Sequence, residues 1–319
     1  MSPFLDPAIL FFGVGLFAGL VRSNLEIPQP VSRFLSLYLL MALGLKGGFA
    51  LAKSGLTADV GAGLAAAVLL AVVVPLAGYA ILRRFVGGFD AAALAATYGS
   101  VSAVTFITAT QHLENAGVPF GGHMAAAMAL MESPAIILAV VLTNRLRCSS
   151  GGDACATGLG HILRESFTEG AQLLLLGAML VGMVSGQVGQ LAMDPFTGQL
   201  FKGLLAFVLL DMGLQAARNL PGVRGKSPAV VVYALLAPLV HAGVALALAV
   251  VLGLPPGDGA LLMVLAASAS YIAVPAVLRH AVPEANPSLY FGLSLGVTFP
   301  LNLLVGIPLY AYLASRFLS

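Results

Sequence analysis

Ten apolar segments follow one another along this chain, and helices crossing a lipid bilayer are the only architecture that accommodates them. They cover residues 8–21, 34–52, 60–82, 91–111 and 122–143, then 171–188, 199–217, 228–252, 259–278 and 288–315. A spanning helix needs about 20 apolar residues, so the first and sixth segments are expected to be tilted, kinked or extended at their ends. Soluble domains carry about 25% charged residues. Here 9% are charged and 59% hydrophobic, so the outer faces must meet lipid. The expected class is an all-α membrane protein of ten transmembrane helices. The first residues, Met1 to Asp6, lack the basic region of a signal peptide, so the first segment is expected to remain in the mature chain.

Charge placement orients the segments. Arg22, Arg33, Arg83, Arg84, Arg145, Arg147, Arg164, Arg218, Arg224, Lys226 and Arg279 lie in or beside the odd-numbered connections, eleven of the fifteen basic residues. Lys53, Lys202 and Arg316 lie on the opposite side, and Lys46 is within the second span. The positive-inside rule then predicts cytoplasmic odd-numbered loops and both termini outside. The net charge of +2 and the scattering of basic residues through short loops give no sign of a nucleic-acid partner, and none is expected.

Two halves repeat the same landmarks. Leu43-Gly44-Leu45-Lys46-Gly47-Gly48 matches Met212-Gly213-Leu214-Gln215-Ala216-Ala217, and Asp90 matches Asp258. Ser100-Val101-Ser102 matches Ser268-Ala269-Ser270, and Glu132-Ser133-Pro134 matches Thr298-Phe299-Pro300. The offsets are 169, 168, 168 and 166. Five spans per copy is an odd number, so the copies lie upside down to one another. The expected division is residues 1–143 for the first repeat, 144–170 for a cytoplasmic linker and 171–319 for the second. Inverted repeats with helices interrupted at matching positions mark secondary transporters.

The interruptions are Gly99-Ser100-Val101-Ser102-Ala103-Val104-Thr105 and Ala267-Ser268-Ala269-Ser270-Tyr271-Ile272-Ala273-Val274-Pro275. Hydroxyls, Gly and Pro inside an apolar span favour a broken helix whose freed backbone lines a cavity. Each following half-helix would offer amide groups and a positive dipole end to a small anion. Gly99, Ser100, Val101, Ser102 and Thr105, with Ser268, Ala269, Ser270, Tyr271 and Ile272, are therefore the candidate substrate residues. Serines and threonines in such helices also bond their own backbone or glue helices together, which is the competing reading. Glu132, in an otherwise apolar span, marks an ion or proton path by default. With Ser133 and the repeat-related Thr298 and Asn302 it forms a candidate sodium set. Lys46 and Asp211 are read as a gating or charge pair, Asp90 and Asp258 as helix N-caps, and Gly15, Gly19, Gly182 and Gly186 as helix-packing glycines. The histidines show no metal pattern, and no His-Glu-x-x-His, Gly-x-Ser-x-Gly or phosphate-loop motif occurs. No enzyme chemistry and no cofactor beyond a coupling ion is expected.

The run from Leu39 to Gly48, the stretch from Tyr98 to Thr110, Met131-Glu132-Ser133-Pro134 and the region from Ala266 to Asn302 resemble the sodium-dependent bicarbonate transporters of cyanobacteria and their bacterial relatives. The resemblance implies a scaffold of spans 1, 2, 6 and 7, and a core of spans 3–5 and 8–10 in which the broken fourth and ninth helices cross. It also implies a homotrimer in the bacterial inner membrane, sodium/bicarbonate symport by alternating access, and control by a PII-like cytoplasmic protein. Tyr271, Ala273 and Val274 stand where cyanobacterial members are most polar, and Glu132 stands where they carry Asp. Two alternatives stay open: a sodium- or proton-coupled carrier of another small organic anion, with Glu132 carrying the proton, and a membrane anion sensor.

Overall fold

A computed structural model describes residues 6–55, 57–149, 170–223 and 226–318. Among these residues the chain is helical, with no strand. The helices are α1 (Pro7–Leu20), α2 (Gln29–Ser54), α3 (Ala58–Leu82), α4 (Gly88–Gly99), α5 (Ala103–Ala116) and α6 (His123–Ser149). Then come α7 (Gly170–Thr197), α8 (Gln199–Asn219), α9 (Pro228–Leu252), α10 (Pro256–Ala267), α11 (Ala273–Ala281) and α12 (Pro287–Phe317). Among the described residues, eight apolar stretches are long enough to cross a bilayer, one of them α4 and α5 taken together as Gly88–Ala116.

Local chemistry sets several boundaries. Asp6 accepts the Ala8 amide at 2.8 Å ahead of Pro7, and Asn286 accepts the Ser288 amide at 3.0 Å ahead of Pro287. Both combine a side-chain cap with proline in the first turn. Gly117 and Gly253, at φ 69° and 65°, end α5 and α9 in left-handed conformation.

The helices pack in two groups. In one, α1 lies along α8 and α2 along α7. Glycines let the backbones touch: a Cβ on Gly15 would strike Leu210 O and one on Gly213 would strike Phe12 O. In the second pair, a Cβ on Gly48 would strike Met179 O and one on Gly182 would strike Leu45 O. In the other group, α3 packs on α4 and α6, while α10 packs on α9, α12 and α3. The outer faces are apolar and exposed, as lipid requires: Val184 on α7 is 89% exposed. In contrast, every residue from Ala91 to Gly99 in α4 and from Gly257 to Ala267 in α10 is buried. The chain breaks after α4 and α10 are thus wrapped by protein, the setting in which non-helical backbone survives at membrane depth.

The structure bears out some expectations and corrects others. Helix α6 runs on to Ser149, into the first residues of the expected 144–170 linker, and α7 begins at Gly170. Arg164, within that linker, and Arg224 lie outside the described residues. The sixth segment is extended to 28 residues and kinked at Gly186, whose φ of 55° and ψ of −141° are not helical. Gly186 is a hinge point with nothing within 4 Å of its Cβ position, and only Gly182 of that pair is a packing glycine. The tenth segment contains two π-helical turns, Ser294–Thr298 and Asn302–Gly306, either side of Pro300.

Asp90 and Asp258 do not cap helices. Gly87 and Pro255 hold those N-cap positions without side-chain bonds. Each aspartate instead reaches the loop before another helix: Asp90 Oδ1 accepts the Asn286 amide at 2.8 Å, and Asp258 Oδ1 accepts the Gly121 amide at 2.6 Å. The two latches tie α4 to the start of α12, and α10 to the start of α6.

Candidate functional site: two helix breaks that meet

Helix α4 stops at Gly99 because the chain turns extended at Ser100 (φ −99°, ψ −179°). Gly99 sits against Pro75, a proline inside α3, and a Cβ would come within 2.5 Å of its ring. Helix α5 restarts at Ala103 with Ser102 as its N-cap: Ser102 Oγ accepts the Thr105 amide at 3.2 Å and the Thr105 hydroxyl at 2.8 Å. This leaves Ala103 and Val104 as first-turn amides without intrahelical partners. Helix α10 stops at Ala267 and α11 starts at Ala273, where Ser270 Oγ accepts the Val274 amide at 3.3 Å.

The two breaks are hydrogen-bonded to each other. The Ser102 amide donates to Ser268 Oγ at 3.1 Å, and the Ser270 amide donates to Thr97 O at 2.8 Å. Ser268 Oγ in turn donates to Leu265 O at 2.9 Å. Two helix C-termini and two helix N-termini therefore converge, as an anion and a cation sharing one site would require.

Ser100, Val101, Ser102, Thr105, Ser268, Ala269, Ser270 and Tyr271 are all buried here, whereas Ile272 is 53% exposed and stands apart. Most hydroxyls are used locally. Ser100 Oγ and the Tyr271 hydroxyl are buried with no hydrogen-bond partner; the latter approaches Ser102 without reaching bonding geometry. Buried polar atoms left unpaired are uncommon and call for a ligand, an ion or a second conformation.

The profile of the Na+-dependent bicarbonate transporter superfamily matches residues 7–315. The chain belongs to that superfamily. No match was found among curated proteins. As a member of a transporter superfamily with many apolar helices, it is a multi-pass membrane protein.

In this transporter the proposed ion residues lie on different elements. Ser133 Oγ, on α6, accepts from Gln172 of α7 at 3.4 Å, and the same amide donates to Ala129 O at 2.6 Å. Glu132 precedes it on α6 and is partly buried. Thr298 is hydrogen-bonded to the Tyr98 hydroxyl at 2.7 Å and donates to Ala234 O at 2.9 Å. Asn302 donates to Ala267 O, the last carbonyl of α10, at 2.7 Å, and accepts from Tyr310 at 3.1 Å. Both lie in the π-helical turns of α12, a feature frequent at functional sites.

Lys46 and Asp211 are not paired. Lys46 Nζ is 2.7 Å from Glu114 of α5 and lies over the Phe201 ring at 4.8 Å. Asp211, buried in α8, accepts from Ser32 and, at 2.9 Å, from Gln215. The lysine pair crosses from α2 to α5 over a cavity of about 340 Å3 lined also by Thr110, Lys53 and Asp194. Thr97, Tyr98, Pro75 and Gln172 were not singled out by sequence. Only Pro75, a proline inside an apolar span, left a local signal.

Proposed function

We propose that this protein is a sodium-coupled symporter of bicarbonate that works by alternating access in the bacterial inner membrane, with both termini outside. The observation carrying the reading is the junction of the α4/α5 and α10/α11 breaks, with Ser100 and Tyr271 hydroxyls buried and unpaired beside it. Bicarbonate would lie against the α5 and α11 starts. Its charge would be offset by sodium, since an isolated charge in so apolar a setting is costly. Glu132, Ser133, Thr298 and Asn302 are assigned to sodium, a hard cation suited to oxygen ligands.

Taking α4/α5 and α10/α11 as one span each gives ten spans, and the packing supports their division into two inverted repeats. The pairing of α1 with α8 is related by the repeat to the pairing of α7 with α2. Gly15 and Gly182 correspond, as do Gly44 and Gly213, and the Asp90 and Asp258 latches obey the same exchange. The α1, α2, α7 and α8 group would be the scaffold, and the remaining helices the moving core. Assembly as a homotrimer and control by a PII-like protein rest on family resemblance.

The test is radiolabelled bicarbonate uptake into proteoliposomes of purified protein, with and without an inward sodium gradient, alongside Glu132→Ala. Sodium-dependent uptake lost in the variant supports the reading. Uptake that ignores sodium, or is absent for folded protein under every gradient, refutes it.

A further inference from the structure

A crevice of about 940 Å3 lies away from the helix breaks, between α5 and the pair α1 and α8. Its size is at the upper end of ligand sites, which run about 300–1,000 Å3. Phe11, Ala206 and Phe207 make apolar walls, while Asp6, Gln111, His112, Asn115 and Lys202 make the polar part. The apolar wall runs on into Leu10, Val14 and Phe17, which are exposed along α1, so a lipid chain could enter sideways.

The polar wall leaves one acceptor without a donor. Gln111 Nε2 donates to Asn115 Oδ1 at 2.9 Å, and Asn115 Nδ2 donates to Asp6 Oδ2 at 2.9 Å. Both amides thus turn toward the carboxylate, and Gln111 Oε1 is left buried with no donor, on a side chain only 5% exposed. Asp6 already accepts from the Ala8 and Asn115 amides, so Gln111 Oε1 is the oxygen in need of a donor, and the neighbouring carboxylate charge favours a cationic N–H group there. Lys202, exposed at the same crevice, supplies a positive charge for an anionic group. Apolar walls with both charges at one end complement a zwitterionic amphiphile.

We propose that this crevice binds a membrane phospholipid whose headgroup amine keeps its N–H bonds, such as phosphatidylethanolamine. The amine lies toward Gln111 and Asp6, the phosphate toward Lys202, and an acyl chain along Phe11 and Phe207. The lipid spans α5 and the α1/α8 pair and so bears on how those groups move.

The test uses delipidated protein in detergent, titrated separately with phosphatidylethanolamine, phosphatidylcholine and phosphatidylglycerol. Thermal unfolding and lipid adducts in native mass spectrometry are read for wild type, Gln111→Leu and Ala206→Trp, the last filling the crevice. Phosphatidylethanolamine should raise the midpoint at least twice as far as the N-methylated lipid, which keeps the charge but has no N–H. That difference should vanish in both variants, with loss of the retained adduct. Equal effects of the two zwitterionic lipids, a stronger effect of phosphatidylglycerol, or an unchanged difference in the variants would overturn the proposal. If neither variant folds, the wild-type comparison and adduct competition between the three lipids decide it.

Discussion

Replacing Asp258 and Asp90 by alanine cuts two latches of the same design, and burial makes the costs unequal. Asp258 is 4% exposed, accepts the Gly121 amide at 2.6 Å and has Oδ2 3.6 Å from His123. A hydrogen bond to a charged group contributes about 1.5–3 kcal/mol, and a buried donor left unpaired costs about 1–3 kcal/mol. The two figures overlap in what they count, so the expected loss for Asp258→Ala is about 2–3 kcal/mol. Asp90 is half-exposed and its Asn286 partner is exposed, so water replaces the lost carboxylate and the expected loss is below about 1 kcal/mol. One kcal/mol moves the midpoint of a chain this size by about 2 °C, extrapolating from smaller domains. Thermal unfolding in detergent should then show drops of about 4–6 °C for Asp258→Ala and under about 2 °C for Asp90→Ala. Asp258→Asn, which keeps an acceptor for Gly121, should fall between them. Equal drops for the two alanine variants would refute the argument that burial governs the latches.

Three further outcomes are expected. Gly48→Ala should destabilise by about 1–3 kcal/mol or block folding, because its Cβ meets the α7 backbone, whereas Gly177→Ala, facing open space, should be nearly neutral in the same melt. Tyr271→Phe removes an unpaired buried hydroxyl, so stability should hold or rise by up to about 1 kcal/mol while bicarbonate uptake falls; unchanged uptake would remove that hydroxyl from the site. The Arg147 guanidinium, 2.7 Å from Glu284, holds that carboxyl below its ordinary range. A lowered folded-state value means the pair stabilises above the ordinary carboxylate range and loses that contribution as acid protonates Glu284. Being partly exposed, it contributes under about 1 kcal/mol, and Arg147→Ala should flatten only this acid limb of the stability–pH curve.

The spans and the helix breaks were legible because they are local. Unbroken apolar runs define the former, and Ser-x-Ser flanked by Gly99 or Pro275 defines the latter. The packing glycines were legible as a type, but not the helix each would face. What escaped depends on distant partners: Lys46 meets Glu114 rather than Asp211, and the two aspartates bond loops 196 and 137 residues away. Those choices are made by tertiary packing, which leaves no periodic trace. The π-helical turns of α12 and the kink at Gly186 likewise follow from how the helices fit their neighbours; Pro300 and Gly186 mark the places without specifying the distortion.

The glycine seams also set an order of events during synthesis. Helices α1 and α2 emerge first, yet the α2 seam closes only on α7, roughly 135 residues later, and the α1 seam only on α8, roughly 195 residues later. At about 5–20 residues per second this leaves the first seams open for about 7–40 s. During that time bare glycine faces stand ready to pair with the wrong helix, in the same chain or in a neighbouring nascent one. Pairing is corrected only when Gly182 and Gly213 arrive to displace it, so slow steps in biogenesis should fall between the appearance of α2 and the completion of α8.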